Sequence, residues 1–199
     1  MKIIGAIIAG GLSRRMAGRE KAFLELDSEP IILHVIEQFE PQVDQLVISA
    51  NGDATRFAEF GLDVVPDVLK HLTTPLAGIH ATLQFAKNIG GDVLVTIPSD
   101  TPFLPFGLVA RLVELVPSGG AVIASSGGQD HYIIGAWKTE LLDDLELAIA
   151  KDGLFRVKDW AVRVSAQKVE WPVEPYDPFF NVNTPEDLLR AQHILKASP

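Results

Sequence analysis

Ile3-Ile4-Gly5-Ala6-Ile7-Ile8-Ala9-Gly10-Gly11-Leu12-Ser13-Arg14-Arg15-Met16-Ala17-Gly18-Arg19-Glu20-Lys21 is the stretch that decides how this chain folds. Its first six residues are a short apolar run rich in isoleucine, the pattern of a strand buried on both faces. Two adjacent glycines follow. Without side chains they let the backbone turn sharply and bring its N–H groups close to an anion that any β-carbon would obstruct. Arg15 and Lys21 then add positive charge. The letters match neither the G-x-G-x-x-G of a dinucleotide-binding turn nor the G-K-[ST] that closes a P-loop. A tight strand-to-helix turn with a solvated basic loop accounts for Gly10-Gly11 alone; the fifteen-residue string from Ile7 to Lys21 asks for more.

Downstream, short apolar runs alternate with amphipathic stretches, the sign of βαβ units and a largely parallel sheet. Strands are expected at Ile3 to Ile8, Gln45 to Ala50, Asp63 to Val65, Val93 to Ile97 and Ala121 to Ser125. Helices are expected at Ile31 to Phe39 and Pro75 to Lys87, with a third after Pro105. Beyond them Tyr132 to Trp137 reads as another strand, Thr139 to Lys151 as a helix and Gln167 to Glu170 as an edge strand. Thr184-Pro185-Glu186-Asp187 opens the last helix, with threonine as N-cap, proline in the first turn and acids where the helix dipole favours them. Nothing in the composition marks a linker, so residues 1–199 are expected to form one domain.

The 199 residues carry 17 Lys and Arg against 26 Asp and Glu, a formal net charge of -9, and no cysteine. That charge argues against general affinity for DNA or RNA, which comes mostly from basic side chains displacing counterions. The missing cysteines exclude disulfides, thiolate metal sites and a cysteine nucleophile. The basic residues 14–21 follow the first apolar run too soon for a secretory signal, and later runs fall short of the ~18 apolar residues of a membrane span. A cytoplasmic protein is expected, without nucleic acid or membrane as partner.

In open α/β sheets, ligands sit beyond the carboxyl ends of the strands. After the fourth strand, Ile97-Pro98-Ser99-Asp100-Thr101-Pro102 places an aspartate suited either to hold Mg²⁺ or to cap a turn. Asn51 follows the second strand and Val64-Val65-Pro66-Asp67 ends the third, with Thr74-Pro75-Leu76-Ala77-Gly78 shortly after. Near the C-terminus, Phe180-Asn181-Val182-Asn183-Thr184-Pro185 sets two amides on one side of an extended piece. His131, a lone histidine, is given no catalytic role.

Gly-Gly followed by Ser-x-Arg-Met and Gly-x-x-Lys resembles the signature of the MobA-like nucleotidyltransferases, and Ala9-Gly10-Gly11 with Arg14-Arg15-Met16 looks most like their molybdenum cofactor guanylyltransferase branch. Ala17 departs from the glycine usual after the methionine. The resemblance runs from Gly5 to Leu188 and implies a three-layer, Rossmann-like α/β nucleotidyltransferase fold with a mostly parallel central sheet. It implies that Gly10, Gly11, Arg15 and Lys21 hold a triphosphate, that Asp100 and Asn181 hold Mg²⁺, and that Ile8, Ala9, Asn51, Asp67, Pro75, Leu76 and Gly78 form the nucleotide pocket, with Lys21, Arg15 and Asp100 catalytic. The implied substrates are GTP and molybdopterin or Mo-molybdopterin; the implied partners are molybdenum-insertion proteins and molybdoenzyme chaperones. Cytidylyl transfer to the same pterin, nucleotidyl transfer to a sugar or lactyl phosphate, and a non-catalytic nucleotide-binding adaptor stay open.

Overall fold

The computed structural model describes residues 1–9, 21–116 and 120–197. Seven strands form one sheet in the order β5-β4-β1-β6-β8-β7-β9, comprising β1 (Ile3–Ile8), β4 (Gln45–Ser49), β5 (Asp63–Val65), β6 (Val93–Pro98), β7 (Ala121–Ser126), β8 (Gln129–Lys138) and β9 (Gln167–Trp171). A separate two-residue hairpin pairs β2 (Glu25–Leu26) with β3 (Glu29–Pro30). β5, β4, β1 and β6 run parallel, and β7 pairs parallel with β9. β8 alone runs against both its neighbours.

Side-chain alternation along the central strands builds two apolar layers. Ile4, Ala6 and Ile8 of β1 enter one, with Leu94, Ile123 and Trp137; Ile7 enters the other, with Val95, Ile97 and Val122. Helix α1 (Ile31–Phe39) covers the second layer through Ile32, Val35, Ile36 and Phe39, spaced to lie on one helix face. Helix α3 (Leu108–Val113) joins it there. On the opposite side lies α2 (Pro75–Asn88), buried almost all round because α4 (Leu142–Asp152) and α5 (Val157–Arg163) share that layer. The arrangement is therefore a three-layer α/β sandwich with a mostly parallel sheet, as the sequence implies. A third cluster, including Leu24, Leu26, Phe103, Val182 and Ala191, seats the final helix α6 (Pro185–Ala197) against the small hairpin.

The expected elements appear with ends shifted by a residue or so, save two, and one helix appears that was not expected. The strand expected at Tyr132 to Trp137 begins at Gln129 and is antiparallel, because Gly127 and Gly128, both at positive φ, turn β7 back as a two-residue hairpin. The stretch expected to be helical from Thr139 starts with a 3-10 turn over Thr139–Leu141 before α4. Helix α5 was not expected; its seven residues are short for a periodic pattern to register. No helix among the described residues is long and apolar enough to cross a membrane.

Candidate active site

Three cavities open side by side at the carboxyl edge of β1, β4, β5 and β6, and Pro75, at the start of α2, lines all of them. The switch point of the sheet is here: the chain steps from β1 outward to β4 and β5, then returns through α2 to β6 on the other side of β1. Loops diverging at such a point leave a crevice.

The smallest cavity, about 160 Å³, is bounded by Ile8, Ala9, Lys21, Pro98, Ser99, Asp100 and Asn181 among others. Lys21 Nζ lies 3.3 Å from Asp100 Oδ2 and also donates to Asn183 Oδ1. The Asp100 side chain is only 14% exposed. Burial pushes its carboxyl above the usual range, against the opposing pull of Lys21, so this carboxylate sits in a place that favours a neighbouring positive charge. The C-terminal segment is clamped to it by backbone: Val182, fully buried, donates its N–H to the Asp100 carbonyl at 2.9 Å. Alternation about Val182 then turns Asn181 into the cavity and Asn183 onto Lys21. The hydroxyl of Thr101 donates to Asn181 Oδ1 at 2.9 Å and fixes that amide. A capping box secures the far end, the Thr184 hydroxyl accepting from Asp187 N–H and the Asp187 carboxylate from the N–H groups of Asn183 and Thr184. A buried carboxylate beside an amide oxygen is a hard, oxygen-only donor set that fits a divalent cation needing one or two carboxylates plus water and phosphate oxygens.

The largest cavity, about 780 Å³, lies over β1, β4 and β5 and is lined by Ile8, Ala9, Ser49, Asn51, Asp67, Pro75 and Gly78, with Arg56 and Lys70 at its wall. Asn51 and Asp67 meet because β4 and β5 pair in parallel, Ser49 beside Val65, so two residues past each strand they face one another. Their bonding is reciprocal: Asn51 Nδ2 donates to Asp67 Oδ2 at 2.6 Å, and Asp67 N–H to Asn51 Oδ1 at 3.0 Å. Asp67 Oδ1 is left out of that exchange and can accept from a ligand. Gly78 permits the close approach of α2 to β4, since a β-carbon there would stand 2.5 Å from Ser49 Oγ. Leu76 differs from expectation: it is fully buried in the apolar layer under α2 and lines none of these cavities. The first turn of α2 explains this: Pro75 is exposed and Gly78 faces Ser49 and Ile8, both of which line the cavity, while the Leu76 side chain turns into the apolar layer.

The third cavity, about 410 Å³, lies on the β8 side, between Pro98 and Asn181 on one flank and Gln129 to Ile134, Phe155 and Arg156 on the other. Sequence reasoning missed Arg156. It sits in the short loop after α4, which ends at Gly153 in the left-handed conformation, and Thr74 Oγ1 holds that loop by donating to the Phe155 carbonyl at 2.6 Å. The helix stop at Gly153 was legible; the approach of Arg156 to a cavity shared with Thr74, Pro98 and the start of β8 was not. Gly10, Gly11 and Arg15 lie outside the described residues; Ala9 and Lys21, on either side of them in sequence, both line the smallest cavity.

The carboxyl edge of the sheet thus offers a large crevice at its switch point and a second cavity opposite, with a mostly buried carboxylate paired to a lysine beside them. Residues 5–165 match the family model of the MobA-like NTP transferase domain, and the chain belongs to that family. It is 43% identical to a molybdenum cofactor guanylyltransferase of Cereibacter sphaeroides, covering 98% of both chains. To one of Bradyrhizobium sp. (strain ORS 278) it is 40% identical over 96% of this chain and 92% of the relative. Among solved structures, molybdopterin-guanine dinucleotide biosynthesis protein A from Archaeoglobus fulgidus superposes with a TM-score of 0.75 at 26% identity, covering 98% of this chain and 100% of that one.

Proposed function

We propose that this chain transfers GMP from GTP to the terminal phosphate of molybdopterin or Mo-molybdopterin, giving the guanine dinucleotide form of the molybdenum cofactor and pyrophosphate. The observation that carries this reading is the arrangement of three cavities about Pro75, with the Lys21–Asp100 pair between a nucleotide-sized space and a second, separate one. The names of the relatives supply the donor and acceptor.

In this reading the 780 Å³ cavity takes the nucleoside. Asp67, oriented by Asn51, accepts from the N1–H and exocyclic amine of guanine, a pairing adenine and cytosine do not offer in the same geometry. Ile8, Ala9, Pro75 and Gly78 form its walls. The N–H groups of Gly10 and Gly11, with Arg15 and Lys21, take the triphosphate. Asp100 and Asn181 hold Mg²⁺, which when bound supplies positive charge to the phosphate oxygens. The acceptor occupies the 410 Å³ cavity with Arg156 near its charged end. A phosphate oxygen of the acceptor attacks the α-phosphorus in line, the bond to the β-phosphate bridge breaks, and pyrophosphate leaves. The nucleophile is the substrate's own, so the protein's contribution is positioning and charge neutralisation. The whole chain acts as one domain, in the cytoplasm, and hands its product on through transient contact with molybdenum-insertion proteins and molybdoenzyme chaperones.

Calorimetric titration with GTP, CTP and ATP in Mg²⁺, repeated on Asp100→Asn and Lys21→Ala, tests the donor half. GTP selectivity that weakens in both variants is the expected result. Preference for CTP would move the chain to a cytidylyl-transferring reading, and no triphosphate binding would end the proposal.

A further inference from the structure

Asp130, His131 and Tyr132 are titratable groups of the third cavity for which the chemistry above has no use, and of these His131 carries a ring nitrogen left over for a ligand. It sits near the start of β8, paired with Ala124 of β7, and lines the space between Asp130 and Tyr132. Its Nε2 is 2.7 Å from Ser126 Oγ, and Ser126 is 1% exposed. The Ser126 hydroxyl donates its one proton to Asp177 Oδ1 at 2.8 Å, an oxygen that also accepts from Phe179 N–H at 2.9 Å. A hydroxyl whose proton is so committed can only accept from its other neighbour. His131 Nε2 must therefore be the N–H, and the lone pair of the neutral ring resides on Nδ1. The Phe179 ring packs on the imidazole at 5.0 Å between centroids and fixes its plane. Burial keeps the imidazole below its usual range, against the opposing pull of Asp177, Asp130 and Glu170, so the neutral form prevails near pH 7. Among the described residues Nδ1 has no hydrogen-bond partner, and it is not sealed in the interior.

The neighbouring polar groups are already engaged. Tyr132 OH donates to Asp130 Oδ2 at 3.0 Å, and Lys168 Nζ reaches the same oxygen at 2.8 Å. We infer that His131 is a specificity-determining residue for the acceptor, held by Ser126 and Asp177 as the Nε2–H tautomer so that Nδ1 accepts a hydrogen bond from a ring N–H or amine of a heterocyclic acceptor. This rests on the reading of the 410 Å³ cavity as the acceptor's; a pterin carries both kinds of donor. His131 touches no reacting atom in this scheme. Ser126 and Asp177 act through it and are positioning residues.

The test uses the full chain with histidine labelled by ¹⁵N, the His131 signals being those lost in His131→Asn. The wild type shows Nε2 protonated and Nδ1 bare, and addition of a free pterin moves the Nδ1 resonance. In Ser126→Ala the two tautomers mix. In turnover, Ser126→Ala and His131→Ala raise the acceptor KM about tenfold, the cost of one hydrogen bond, while the GTP KM and kcat hold. His131→Asn, which keeps an oxygen near the Nδ1 position, recovers most of that loss. A wild-type Nδ1–H tautomer, an Nδ1 signal unmoved by pterin, or an equal rise in the KM for GTP would overturn the inference. Turnover that fails in the wild type while pterin still moves Nδ1 would sink the guanylyl-transfer reading and leave the His131 contact standing.

Discussion

In the parallel half of the sheet, the residues that reach the cavities follow their strands: Ala9 after β1, Asn51 after β4, Asp67 after β5 and Asp100 after β6. In β8 they open the strand, from Gln129 to Ile134, and the rest of β8 runs away from the site. The register explains it. Thr96 pairs with Gly135 and Val93 with Lys138, so the beginning of β8 projects past the end of β6 toward Asp100. One reversed strand thus delivers its first residues to the edge where four parallel strands deliver their last. On the proposed reading the donor nucleotide is met by loops after strands and the acceptor by a strand's own start, two separately built surfaces with the Lys21–Asp100 pair at their seam.

Removing Asp100 strikes that seam and carries the largest expected effect. Asp100→Asn lowers kcat by about 10² or more if the metal site supplies several kcal/mol. Stability moves the other way. The folded state raises this carboxyl above its unfolded value of 3.8, so the protonated form suits the fold better than the ion. The resulting contribution to stability is whole below the unfolded value and is lost as pH rises through the folded one. The variant should therefore gain in Tm relative to the wild type as pH rises above that unfolded value; thermal melts in acid and at neutral pH check this, and a relative loss at neutral pH contradicts it.

A crossed pair of variants separates the two surfaces. Asp67→Asn should raise the KM for GTP by about 10- to 100-fold, with guanine preference eroded and the acceptor KM unchanged. Arg156→Ala should do the reverse and less, about 5-fold on the acceptor alone, because Arg156 is exposed and already paired with Asp159. If both variants move both constants together, the surfaces are not independent. The smallest effect tests how tightly the donor side is packed: Gly78→Ala brings a methyl to 2.5 Å from Ser49 Oγ and should cost about 1 kcal/mol in chemical denaturation. Ser49→Ala in the same chain should return most of it, since the next atoms stand at 3.5 Å.

The same contrast governs what the sequence disclosed. Apolar runs such as Ile3–Ile8 and Val93–Pro98, buried along almost their whole length, announce themselves, and Asp100 stands just past one; Asp67 follows a three-residue strand with an exposed start, and for both aspartates it is the family resemblance that implies a site role. Asn181 was legible because alternation about Val182 is a local property. Leu76 was misplaced because a motif does not say which side of a helix faces a ligand. The β8 side was harder: Gly127-Gly128 is a hairpin signal, but the antiparallel return that makes the strand's start important is set by long-range pairing. Arg156 and Asp177 reach the third cavity and its relay from loops whose only link to it is tertiary.

Between Ile123 and Ala124 the pairing of β7 jumps from Gly135 to His131, leaving Tyr132, Ile133 and Ile134 outside the ladder. A strand that already carries surplus residues at one point can gain or lose one there without slipping its neighbours, so chain length is decoupled from register at this place. All three of those residues line the third cavity. The depth of that cavity is consequently the dimension that can be re-engineered, by insertion or deletion at the bulge, while the nucleotide side of the same sheet keeps its alignment.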